Sequence, residues 1–342
     1  MLSVVFCTFP PLVLPLVYTS DMSHSRIIHR FVESPDAATL DQLEADATDM
    51  ARSAGQILMR NFGSKLTIRY KDQEETDPVT NVDTEVQENI RQSIVKKYPD
   101  HGVLGEEDEG YEEGPAPDYV WVLDPLDGTK NFINGLPIFA SSIGVLHRGV
   151  PVAGAIFTPW PSEKCGVVIH ARKGGDTYAN DVRVAVVGNR KIKNKKLIAL
   201  PESFSRIFRF KKAMAHNGGE LRITGSTAYE MAMTARGVLQ YCFTGAYLWD
   251  VAAGVVLVNG AGGSVMIGEK IQNPLFLSAQ RMRWTELQSF FPDEYDLIKL
   301  RQMRDWRSPL VSGNRHIAQH ISENLDLKWN IRRRLRNGLL RK

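Results

Sequence analysis

Cysteine is scarce in this 342-residue chain: Cys7, Cys165 and Cys242 are odd in number, far apart and in no metal-ligand spacing. That excludes a disulfide framework and a thiolate zinc site, and it fits free thiols in a reducing, cytoplasmic compartment. The eight histidines form no cluster. An uninterrupted apolar run is also missing. A membrane span needs about 20 such residues, whereas the apolar opening "MLSVVFCTFPPLVLPLVYTS" is broken by Pro10, Pro11 and Pro15 and has no Lys or Arg ahead of it. A signal peptide, a membrane attachment and a start codon placed too early, with Met22 just beyond, stay open as readings of the leader and linker, residues 1–36. No repeat of fixed period is present.

The low net charge of +3 hides an asymmetry: Lys328–Lys342 holds seven basic residues and no acid, leaving −4 for the rest. The hydrophobic share of 43% and charged share of 24% are those of an ordinary soluble globular chain.

Apolar period predicts a long amphipathic helix over 38–62 and a second carrying Val79, Val82, Val86, Ile90 and Ile94, stopped by Tyr98–Pro99. "KLTIRYK", "GVL", "YVWVLDP" and residues 196–200 read as strands. "FASSIGVLHRGVPVAGAIFTPW" reads as two strands turning at Arg148–Gly149, and "KCGVVIHARKGGDTYANDVRV" as another hairpin. Residues 203–216 read as a helix, "GSTAYEMAMTARG" opens one, "VLQYCFTGA" is a strand, and "WDVAAGVVLVNGAGG" is a helix closed by glycines. Without a strict βαβ rhythm, the expectation is layered α and β with mixed sheets.

Five acids stand at element ends. Asp83 lies in the first turn of the helix opened by "DPVTNVD", Glu106 follows "GVL", Asp124 and Asp127 follow "VWVL", and Asp250 opens "WDVAAG". One acid at such a place is ordinarily a cap. Two at the mouth of an apolar strand repel each other and lose solvation, so a cation should sit between them. A hard divalent ion such as Mg²⁺, which takes carboxylates, waters and substrate phosphate, suits the oxygen donors. "DGT" then supplies backbone N–H groups and a hydroxyl able to cradle phosphate or aim a water, and "TGSTA" offers a second helix start.

These segments, "DPVTNVD" (77–83), "GEE" (105–107), "WVLDPLDGTKNF" (121–132), "GSTA" (225–228) and "WDVAAGVVLVNGAGG" (249–263), occur in an order that resembles the inositol monophosphatase family, of the lithium-sensitive Mg²⁺-dependent phosphatase superfamily. The similarity spans roughly 38–285. It implies an αβαβα sandwich, a phosphatase domain over 37–290 with lobes of about 37–190 and 191–290, and a C-terminal extension over 291–342. It further implies a homodimer, two or three Mg²⁺ ions and hydrolysis of a small phosphorylated alcohol by metal-activated water. In that picture Glu106, Asp124 and the Leu126 carbonyl hold one ion, and Asp124, Asp127 and Asp250 a second. Asp83 and Glu106 support a third through water, Thr129 orients the attacking water, and Gly128 and Thr129 bind phosphate. Gly225, Ser226 and Thr227 face the leaving group.

Two positions depart from the family pattern. Members acting on inositol usually carry a glutamate ahead of "WD", where this chain has Phe243, which either stacks on a ring or packs. Lys130 stands where those members often have threonine and offers a contact for a second anionic group. Bisphosphate nucleotidase, fructose-1,6-bisphosphatase and histidinol phosphatase activities are therefore alternatives. From Leu325 on, Leu327, Ile331, Leu335 and Leu339 recur every four residues among the cations. This suggests a basic amphipathic helix that docks on the body, contacts nucleic acid or an anionic membrane, or serves an RNA- or protein-binding accessory role; a solvated terminus is the plainer reading.

Overall fold

The computed structural model describes residues 34–108, 114–160, 166–214, 218–273, 276–292, 295, 298 and 300–328. The leader and the tail beyond Lys328 lie outside these residues, and everything below concerns the unit that begins at Pro35.

Helix α1 (Ala37–Asn61) is capped by Asp36, whose side chain accepts the Thr39 N–H at 2.7 Å. Its buried stripe of Leu40, Leu43, Ala47, Met50, Ala51, Ala54, Ile57 and Leu58 follows the predicted period. After strands β1 (Ile68–Tyr70) and β2 (Pro78–Thr80), helix α2 (Asn81–Lys97) opens with a capping box between Thr80 and Asp83 and packs on α1.

Both helices cover one face of a seven-stranded sheet. Its order is β3 (Gly102–Gly105), β4 (Tyr119–Asp127), β5 (Ala140–His147), β6 (Val150–Thr158), β7 (Val167–Arg172), β8 (Thr177–Ala179) and β9 (Val182–Val184). Only the β3–β4 pair is parallel. The short helix α3 (Thr129–Ile133) follows β4. Residues 167–184 thus make three strands rather than a simple hairpin, because the turn at 180–181 folds the chain back once more.

Beyond residue 190 the chain builds β10 (Leu197–Ala199), α4 (Phe204–Ile207), β11 (Phe208–Phe210), β12 (Glu220–Arg222), α5 (Thr227–Ala235), β13 (Leu239–Thr244) and α6 (Leu248–Gly260). β14 (Gly263–Asn273), β15 (Phe276–Glu286), α7 (Leu300–Arg304), β16 (Leu310–Asn314), α8 (Arg315–Glu323) and β17 (Leu325–Leu327) complete it. The second sheet runs β12-β10-β13-β16-β14-β15.

Helices α5 and α6 lie between the two sheets, and α8 covers the outer face of the second. Every residue of α6 from Val251 to Val258 is buried, as befits a helix with a sheet on either side. Close approach is bought by glycine: a Cβ on Gly144 of β5 would lie 2.7 Å from that of Ala252, and one on Gly154 of β6 would lie 2.7 Å from Ala253 Cα. The layers are α1/α2, sheet, α5/α6, sheet, α8, the expected αβαβα sandwich.

Three expectations need correction. The helix expected over 203–216 is four residues of α4, then strand β11, then a 3₁₀ turn at Lys212–Met214. Phe204 and Phe208 are drawn into the core, and β11 pairs with β17. By the same pairing Leu325–Leu327 is strand, not the start of an amphipathic helix; the rest of that tail lies outside the described residues. Finally, the second sheet reaches past 290: β16 lies in its interior, between β13 and β14.

Candidate metal centre

The centre forms where β4 leaves the sheet. Residues three apart on a regular strand point to opposite faces, which would separate Asp124 from Asp127. Pro125 has no N–H for the ladder, and the pairing with β5 slips here, from Asp124 opposite Ser142 to Asp127 opposite Ala140. The bulge turns both carboxylates to one side. Asp250, in the first turn of α6, meets them, and one oxygen from each of the three lies within 4.8 Å of the others.

Each carboxylate is fixed from behind. Asp124 Oδ1 accepts the Leu126 N–H at 3.0 Å. Asp127 Oδ2 accepts Ser226 Oγ at 2.7 Å and the Ala228 N–H at 2.5 Å, at the start of α5. Asp250 Oδ2 accepts the Tyr247 N–H at 2.8 Å. Burial, then the charges of Glu106, Asp127 and Asp250, hold Asp124 far above the usual carboxylate range; burial, then Asp127 and Glu106, does the same to Asp250. Burial lifts Asp127 to about 6 even though Ser226 and Ala228 pull it down.

Asp83 is also buried, and burial raises it to about 6 against the opposing bonds from Thr80. Its Oδ1 lies 3.2 Å from Thr129 Oγ1, which is 2.9 Å from the Leu126 carbonyl oxygen. The structure thus brings Asp83, Asp124, Leu126, Asp127, Thr129 and Asp250 to one place. Gly128 caps α3 with φ of +93°, and a Cβ there would come within 3.0 Å of the Ile138 carbonyl.

Glu106 sits at the edge of this group. Lys71 Nζ lies 2.9 Å from its carboxylate and 2.7 Å from that of Glu107. Burial works against the Lys71 charge, but the two glutamates hold its pKa above the ordinary lysine value. Burial and the Glu106 charge raise Glu107 to about 7. A protonated amine thus neutralises the arm that the family resemblance gives to a metal ion.

The substrate-side residues divide. Ser226 is buried and committed to Asp127, while Thr227 is half-buried with its hydroxyl 3.4 Å from that of Thr244. Gly225, at φ +75°, and Lys130 are exposed at the mouth. Phe243 is a correction. It is 2% exposed and packs edge-on against Phe204 and Phe208, with ring centroids 5.0 and 4.9 Å away. It is a core residue, closed to substrate.

Lys71, Asn131 and Glu230 are site residues that sequence reasoning missed. Asn131 Nδ2 donates at 2.7 Å to both the Ile138 and Thr224 carbonyls, tying α3 to the loop before α5. Glu230 accepts Thr224 Oγ1 at 2.6 Å, and burial raises it to about 7. A cavity of about 800 Å³ lined by Arg190, Lys191, Lys193, Met214, His316 and His320 includes none of the carboxylates.

The donor set fits a hard divalent cation. It is all oxygen, and the raised pKa values of its members mark the charge that an ion would neutralise. Asp127 and Asp250 keep partial exposure, leaving a path from solvent.

A model of the inositol monophosphatase family matches residues 39–286. A fructose-1,6-bisphosphatase/inositol-1-monophosphatase of Aquifex aeolicus is 34% identical over 226 residues, covering 64% of this chain and 83% of that protein. A protein of Haemophilus influenzae named Nus factor SuhB is 34% identical over 221 residues, covering 63% and 81%. Among solved structures, the extragenic suppressor protein SuhB of Bartonella henselae superposes with a TM-score of 0.62 at 25% identity, over 83% of this chain and 98% of that one. The inositol monophosphatase of Anabaena, at 22% identity and a TM-score of 0.59, shares the fold over 84% and 96%.

Proposed function

The chain belongs to the inositol monophosphatase family, and from that premise we propose that it is a Mg²⁺-dependent phosphomonoesterase acting on a small phosphorylated alcohol. The observation that carries the reading is the convergence of Asp124, Asp127 and Asp250 within 4.8 Å beside the Gly128–Thr129 turn. Buried like charges lower stability unless something positive joins them, and binding an ion gives their retention a purpose.

In this reading Asp124, Asp127, Asp250, Glu106 and the Leu126 carbonyl hold the ions. Bound there, a divalent cation lowers the pKa of water and offsets charge on the phosphoryl oxygens and the leaving alkoxide. The chain's own residues supply position. The Thr129 hydroxyl donates to Asp83 Oδ1 or to the Leu126 carbonyl, and its free lone pair aims a water. The Gly128 and Thr129 N–H groups receive phosphate, Thr227 faces the leaving group, and Lys130 meets any second anionic group from the rim.

The relative named for both fructose-1,6-bisphosphatase and inositol-1-monophosphatase makes those two substrates the first to test. Phosphate release with Mg²⁺ should be measured on inositol 1-phosphate, fructose 1,6-bisphosphate, 3′-phosphoadenosine 5′-phosphate and histidinol phosphate, with Asp124→Asn as blank. One substrate standing about 100-fold above the others, a gap of some 2.7 kcal/mol in transition-state binding, would identify the substrate class. Wild-type turnover no greater than the blank on all four would defeat the proposal.

A further inference from the structure

The family match ends at residue 286, yet the chain beyond it returns to the backbone of Glu106 and the ring beside Asp250. Described residues between 287 and 307 bond to the chain ahead of β4 and ahead of α6. The Ala116 N–H donates to the Ile298 carbonyl at 3.0 Å, and the Tyr295 hydroxyl donates to the Pro117 carbonyl, both just ahead of β4. Phe290 packs edge-on against Trp306, with centroids 4.8 Å apart. At the far end, Arg307 donates to the Gly245 carbonyl at 2.5 Å and lies 4.8 Å over the Tyr247 ring, ahead of α6.

Arg304 lies between these anchors and touches both arms of the site. Its Nη1 donates to the Gly105 carbonyl at 2.6 Å and its Nη2 to the Glu106 carbonyl at 2.5 Å. Its guanidinium carbon lies 5.0 Å over the ring of Trp249, the residue before Asp250. The Glu106 backbone is also held on its other side, its N–H donating to the Leu123 carbonyl of β4 at 3.0 Å.

We propose that Arg304 is a positioning residue of the metal centre. One planar cation fixes the backbone that carries Glu106 and the ring beside Asp250, and so sets the spacing of the two arms. The role suits arginine. Its rigid fork serves two carbonyls at once while its flat face stacks on indole; an ammonium offers a point charge and no plane. Partners behind a metal ligand typically change metal affinity by 10- to 100-fold. The inference rests on the metal reading above, so its test is chosen to fail separately from it.

Mn²⁺ serves as the probe, titrated without substrate and followed by the paramagnetic resonance of the free ion. Melting in chelator checks that each variant folds. Arg304→Ala and the milder Arg304→Lys should each weaken Mn²⁺ binding by about tenfold or more. Tyr295→Phe, which loosens the same segment without touching Arg304, should keep wild-type affinity. Wild-type affinity in folded Arg304→Lys, or equal weakening by Tyr295→Phe, overturns the role given to the guanidinium. Absence of Mn²⁺ binding by the wild type overturns the metal reading, and this inference with it.

Discussion

Two buried regions at strand ends invite comparison. At the end of β4, Asp124, Asp127 and Asp250 converge, one oxygen of each within 4.8 Å of the others. At the end of β13, Phe243 meets Phe204, Phe208 and, at 6.5 Å, Trp284. The aromatic cluster gains stability from the area it removes from water. The acidic cluster loses stability by the same removal, visible in carboxyls held far above their usual range. Where a fold keeps an arrangement that weakens it, a ligand is the physical reason, and a cation is the ligand that three carboxylates define.

Substitutions in the two regions should therefore have opposite signatures. Asp124→Asn should lower Mg²⁺-dependent turnover by about 10³-fold or more, the several kcal/mol that a metal's charge supplies. In the same variant the metal-free protein should melt at or above the wild-type temperature at pH 8, because one repelling charge is gone and the amide oxygen still accepts the Leu126 N–H. Phe243→Ala should do the reverse: a loss of about 3–5 kcal/mol in denaturant unfolding, with turnover per folded molecule unchanged. A large loss of turnover in folded Phe243→Ala would return that ring to the substrate pocket.

Thr129→Val sharpens the contrast within the acidic region. It keeps the carboxylates and removes the hydroxyl between Asp83 and Leu126. Turnover should fall by about 10²-fold, as for loss of a proton-handling group, while Mg²⁺ still raises the melting temperature.

The smallest expected effect is in pH dependence. A carboxyl raised in the folded state, as Glu230 is from 4.5 to about 7, stabilises fully below its unfolded pKa, and that contribution is lost as pH rises through 7. For this buried group the span is on the order of 3 kcal/mol. Glu230→Gln should flatten the stability profile between pH 5 and pH 8, read from denaturant midpoints; an unchanged slope would show that Glu230 titrates normally.

Much of this was legible from the chain. The long helices followed from their apolar period, and the five acids from their places at element ends. Other features were hidden for physical reasons. That Asp124 and Asp127 face one way depends on the slipped pairing around Pro125, a property of two strands together. All six residues of β13 are buried, so alternation could not say which way Phe243 points. The apolar residues of 203–216 suit a helix locally, and their strand pairing comes from Leu325–Leu327, far along the chain. Lys71 ends a segment that reads as an ordinary strand, and Arg304 lies in a segment without motif; only folding brings them to Glu106.

The most direct test is the melting temperature at pH 8 of wild type and Asp124→Asn, each in chelator and in millimolar Mg²⁺. Ion binding to the folded state alone stabilises by about 2.7 kcal/mol at 100 times the dissociation constant. The account predicts a rise of several degrees for the wild type and none for Asp124→Asn. Equal shifts in the two proteins, or no shift in the wild type, would contradict it.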